Sequence, residues 1–186
     1  MPAPDEQKFA TFDERSWRAV CRAVDATMTQ RPWFARRSID AIYRPPANAA
    51  ASHSYLSGLA TLLLWSICER RPTEADIDQI LAALPANRAA GEMASAEDLR
   101  YAVRVASRLI SKEELADKLP RIEHYVSLCA RSLAGLGGRA RDHRDVIVEA
   151  VQLKPVPAEF MERWRWVNGR RLGDALMAEE GSETSE

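Results

Sequence analysis

The chain has 186 residues, a mass of 20.8 kDa, a formal net charge of −1 and a pI near 6.3, with 46 % hydrophobic and 28 % charged residues. These values exclude a fibrous protein, a bulk disordered one and a wholly basic nucleic-acid binder, and the length suits one packed core. Charge is nonetheless segregated: ten basic against seven acidic residues in 1–71, six against nine in 72–119, ten against six in 120–171, and none against five in 172–186.

Four helix-start patterns recur, at Thr11-Phe12-Asp13-Glu14, Thr73-Glu74-Ala75-Asp76, Ser95-Ala96-Glu97-Asp98 and Ser111-Lys112-Glu113-Glu114. In each, a hydroxyl can accept from an orphan amide of the first turn while a carboxylate three residues on favours the positive end of the helix dipole. No comparable strand pattern recurs. The expected fold is therefore all-α, a single compact domain of about seven to nine helices over 11–178, with a flexible arm at 1–10 and a flexible acidic tail at 179–186.

Trp17, Val20, Cys21, Val24 and Met28 repeat at helical spacing and mark the first core helix. Pro32 suits the first turn of the next, with Trp33, Phe34, Ile39, Ile42 and Tyr43 as buried candidates and Pro45-Pro46 as its stop. Residues 47–54 read as a small polar linker in which Ser52 or Ser54 caps the most apolar helix, 55–68. That run is shorter than the roughly 20 residues a membrane span requires, so it is expected to be the central buried helix and no membrane partner is expected.

Pro72-Thr73 opens a short helix bearing Ile77, Ile80, Leu81 and Leu84, ended by Pro85, and 86–94 reads as a flexible stretch. After Ser95, Leu99, Val103, Ala106 and Ile110 track one helical face while Arg100, Arg104 and Arg108 track another. Ser111 restarts the helix with Leu115 and Leu119 inward. Pro120 begins another with Ile122, Tyr125, Val126, Cys129 and Leu133, terminated at Gly135-Leu136-Gly137-Gly138. Residues 140–153 suit a helix or, from their β-branched content, a strand; lacking any partner edge, they are assigned as helix. A last amphipathic helix is expected from Glu159 to Val167, with a short turn at 172–177.

Cys21, Cys68 and Cys129 are far apart and odd in number, which suits small buried hydrophobes in a reducing compartment better than disulfides or zinc. The start Met1-Pro2-Ala3-Pro4-Asp5-Glu6 lacks a basic then apolar leader, so a cytoplasmic location is expected.

Catalytic patterns are thin. His53, His124 and His143 are the only histidines; no metal-ligand spacing accompanies them, and Arg141-Asp142-His143-Arg144-Asp145 lacks every partner that a kinase catalytic loop requires. His53, in its small-residue linker, is the one histidine with the look of a pocket residue. No catalytic residue, cofactor or metal is assigned.

The distinctive chemistry is arginine beside tryptophan. In Arg163-Trp164-Arg165-Trp166-Val167-Asn168-Gly169-Arg170-Arg171, Trp164 shares a face with Phe160 and Val167, whereas Trp166 lies beside Arg163 and, if the helix persists, Arg170. An indole flanked by guanidiniums can anchor a protein partner, stack an unpaired base, or form a cation–π contact within the fold. Together with Arg36 and Arg37, the residues Arg163, Trp166, Arg170 and Arg171 form the expected contact surface of a binding module, a subunit or adaptor of a larger assembly with a protein partner. The alternatives are direct nucleic-acid binding, through these arginines or a degenerate helix-turn-helix at 111–133, and an enzyme of unrecognised type. That helix-turn-helix lacks the glycine-containing turn, and its second helix looks buried.

Overall fold

The computed structural model describes residues 12–145 and 147, which form eight α-helices joined by short turns, with no strand among the described residues. In chain order they are α1 (Glu14–Met28), α2 (Pro32–Asp40), α3 (Ala49–Cys68), α4 (Ile77–Ala83), α5 (Arg88–Met93), α6 (Ala96–Ala106), α7 (Lys112–Asp117) and α8 (Ile122–Leu136). Two 3₁₀ turns intervene, at Ala41–Tyr43 and Glu74–Asp76, and a third, Ala140–His143, follows α8. The all-α expectation is met. The N-terminal arm, most of 146–153, the helix expected at 159–167 and the acidic tail lie outside the described residues.

Helix α3 is the hub. Leu56, Leu59, Leu62, Leu63 and Leu64 are all buried, and the helix packs chiefly on α8, then on α1 and α6. α8 is the second inner helix: Tyr125, Val126, Leu128, Cys129, Ala130 and Leu133 are at most 1 % exposed. Trp17, Val20 and Val24 carry α1 onto both. Phe12, Trp17 and Tyr55 form an aromatic cluster, with Tyr55 edge-on to Trp17 at 6.0 Å. The hydroxyl oxygen of Tyr55 accepts a hydrogen bond from the Asp13 amide at 2.7 Å, tying the start of α1 to α3.

Three of the four helix starts follow the expected pattern. Thr73, Ser95 and Ser111 each make a reciprocal capping box with the carboxylate three residues on. At the first start the cap is Asp13, whose carboxylate accepts from the amides of Arg15 and Ser16 and from the Ser16 hydroxyl at 2.5 Å. Gly137, at φ +71°, ends α8 in the left-handed region, its amide returning to the Leu133 carbonyl at 2.8 Å.

Several expectations are corrected. Residues 49–54 are helical, so α3 begins six residues early and is capped by Asn48 rather than Ser52 or Ser54: the Asn48 side chain accepts from the amides of Ala50 and Ala51. The stretch 86–94 contains α5, capped by Asn87, whose side chain accepts from Ala90 and donates to the Thr27 carbonyl at the end of α1. Six residues are too few to be helical alone; the packing of α5 on α8, α2 and α1, with Ala89 and Ala90 buried, holds them. Ile110 and Arg108 lie past the end of α6, and Leu119 is 59 % exposed because α7 stops at Asp117.

The second helix departs most. With only nine residues, α2 buries Ala35 and Ile39, which are one turn apart, so Trp33 (70 % exposed) and Phe34 (48 %) project away from the core. Tyr43 is also exposed and donates its hydroxyl to Glu123, whereas Ile42 is buried as expected. α2 has already ended at Asp40 before Pro45-Pro46 is reached.

The caps make stability pH-dependent. Hydrogen bonds from Arg70 and then Thr73 hold the Asp76 carboxyl well below the usual carboxylate range; Ser95 does the same for Asp98, and Ser16 for Asp13. A carboxylate with a depressed folded pKa adds stability above its unfolded value near 3.8, and loses it as pH falls through the folded value. His124 acts in the same direction for another reason: burial depresses its pKa from 6.5, so the unfolded chain takes up that proton first as pH falls. The melting temperature should therefore decline gently below about pH 6.5 and steeply below about pH 4. Thermal melts of the Asp76→Asn variant should show a shallower acid limb, and an unchanged limb would refute the assignment.

Candidate functional site

The α1–α2 corner forms a broad open groove of about 1040 Å³. Its first wall is the face of α1 opposite Trp17, Val20 and Val24. There Arg15, Arg18 and Arg22 recur at i, i+3 and i+7, placing three guanidinium groups along about 10 Å of helix axis. The second wall is α2 and the segment after it, with Trp33, Arg36, Arg37 and Arg44. The chain reverses between the two helices through Gln30, which takes a left-handed φ of +59°.

Six arginines therefore line the groove against two carboxylates, Asp25 and Asp40, and all six arginine side chains are exposed. Among the described residues none of the six has a carboxylate within ion-pair distance. The contrast with other arginines is direct. Arg100 pairs with Asp78, Arg104 with Glu74 at 2.9 Å, Arg70 with Asp76 at 2.6 Å and Arg144 with Glu14 at 2.7 Å. Arg100 and Arg104 thus belong to a solvated, paired face, while Arg108 lies 5.7 Å from the Trp65 ring centre.

Arg37 stacks its guanidinium 5.5 Å from the ring centre of Trp33, one helical turn away, and most of the indole surface stays open. Arg36 has a partial structural use, donating to the Glu92 carbonyl at 3.2 Å near the end of α5. Desolvation raises the Asp25 carboxyl above its ordinary value, opposed by Arg139 and Arg141. A surface of this kind offers planar donor forks for oxyanions beside a π face.

Of the expected contact residues, Arg36 and Arg37 lie in this groove, whereas Arg163, Trp166, Arg170 and Arg171 fall outside the described residues. The sequence reading missed Arg15, Arg18 and Arg22, although their helical spacing is visible on the reverse of the very stripe that identifies α1. It also assigned Trp33 to the core.

The other candidates have structural duties. His53 is in α3, not in a linker pocket: its Nε2 is 2.9 Å from the Pro120 carbonyl oxygen, which can only accept, so Nε2 carries the proton, and the ring stands edge-on to Tyr125 at 5.2 Å. His124 is 8 % exposed with Nε2 3.7 Å from Asp98. The three cysteines are free; burial pushes the Cys21 thiol up to about 12 and raises Cys68 and Cys129 as well, so they stay protonated and poorly nucleophilic. In the 111–133 helix pair, α8 is buried against α1, α3, α5 and α6 and has no face to enter a DNA groove. Among the described residues no group of three His, Cys, Asp or Glu is placed to hold a metal ion, and no helix is long and apolar enough to cross a membrane.

No protein-family model, curated protein or solved structure matches the chain.

Proposed function

We propose that this chain is a non-catalytic binding module, a subunit or adaptor of a larger cytoplasmic assembly, that holds an anionic partner in the α1–α2 groove. The observation that carries the reading is the set of six arginines around that groove with no carboxylate within ion-pair distance among the described residues, whereas at least seven of the other twelve described arginines, Arg100 and Arg104 among them, pair with acids. Six exposed guanidiniums in one concave surface repel each other unless an anion lies between them, and their positive potential raises the rate at which such a partner arrives. His53, His124 and Cys129 support the same reading, since each has a hydrogen bond with the backbone.

Binding to heparin, a generic polyanion, tests it. Affinity should fall log-linearly with salt as counterions are released. The Arg18→Glu, Arg37→Glu double variant should lose retention on immobilised heparin, whereas Arg100→Gln, Arg104→Gln, which removes two arginines from the paired face, should elute with the parent. Absence of retention at about 50 mM salt, or equal loss in both double variants, would overturn the assignment.

A further inference from the structure

The groove is more specific than a basic patch. Trp33 is a large apolar residue in the first turn of a short helix, left 70 % exposed among arginines although Ala35 and Ile39 bury the opposite side. Exposing an indole forgoes burial that would stabilise the fold, so a strongly exposed tryptophan at the edge of a charged groove points to a partner that covers it. The chemistry of the neighbours narrows the partner. Arg15, Arg18 and Arg22 present donor forks in a row, as repeating phosphates require, and the Arg37 guanidinium lies over the Trp33 ring, 5.5 Å from its centre.

We infer, building on the anion-binding reading, that the groove takes single-stranded nucleic acid: the α1 arginines and Arg44 hold successive phosphates while an unpaired base stacks on Trp33 beside Arg37. Charge complementarity alone would equally admit an acidic peptide. The open planar ring favours a strand with exposed bases, because a carboxylate side chain gains nothing from a π face. A duplex is disfavoured, since its bases are stacked on one another and present only their edges.

The test uses the full chain, fluorescein-labelled oligo-dT and oligo-rU of about 15 nucleotides, a duplex hairpin of equal charge, and polyglutamate of equal charge, at about 50 mM salt. Anisotropy should show the single strands binding at least about tenfold tighter than the hairpin or polyglutamate. Trp33→Ala should weaken the single strands by between about fivefold and a hundredfold, the range that a lost stacking contact covers. It should leave the polyglutamate affinity and the melting temperature within error, and Trp33→Phe should restore most of the loss. Polyglutamate or hairpin binding as tight as the single strands, or oligonucleotide affinities insensitive to Trp33→Ala, would overturn the nucleic-acid inference while leaving the anion-binding reading intact. Binding of none of these polyanions would overturn both.

Discussion

Leu63→Ala should lower the unfolding free energy by about 3–5 kcal/mol, a large share of the 5–15 kcal/mol that holds a typical domain together. The residue is fully buried in α3, on the side of that helix that packs into the core formed with α8, α1 and α6. The cavity can close only if one of those helices shifts, and each is held by its own buried residues, so little relaxation is expected and the cost lies toward the upper part of the range. For a chain of this length the melting temperature should drop by roughly 8–15 °C, measurable by circular dichroism at 222 nm. A loss below about 1 kcal/mol would mean that α3 is not the centre of the core.

Reversing the charge of all three α1 arginines, as Arg15→Glu, Arg18→Glu and Arg22→Glu together, should have the opposite profile. These side chains are exposed and no carboxylate pairs with them among the described residues, so stability should stay within about 0.5 kcal/mol per site. Polyanion binding should collapse. If each arginine neutralises one phosphate of a single strand, three lost contacts remove about two units from the log–log salt slope, which at about 50 mM salt corresponds to a few-hundred-fold loss in affinity. Repulsion from the three introduced carboxylates adds to that. Titration of the labelled single strand at several salt concentrations reads slope and affinity together. A slope equal to that of the parent chain would show that the phosphates lie elsewhere.

These two variants divide the molecule as the sequence itself divides. The apolar periodicities were legible because burial demands them: Trp17, Val20 and Val24 in α1, the leucines of α3, Leu99 and Val103 in α6, and Tyr125, Val126 and Cys129 in α8 all lie where their spacing places them. Capping is equally local, as three adjacent peptide units and one side chain suffice to build it, so Ser95 and Ser111 could be read without a neighbour. Asn48 and Asn87 use the same chemistry. They were passed over because the residues that follow, alanine-rich in one case and only six long in the other, are helical through contacts with distant segments.

What the chain alone determined is its fold class, its central helix and most of its inner faces, since these follow from the period of apolar residues and from hydrogen bonds that span one turn. What only the tertiary structure decided is which aromatic residues stay outside and which arginines stand together. Trp33 looks like a core residue from its neighbours, and it is exposed because Ala35 and Ile39 commit the opposite face of α2 to the core. Arg22 and Arg37 are fifteen positions apart in sequence yet line one groove because the corner at Gln30 folds α2 back beside α1. Coulomb interactions act through space, so whether an arginine is neutralised or left to face a partner depends on which helices the core brings side by side.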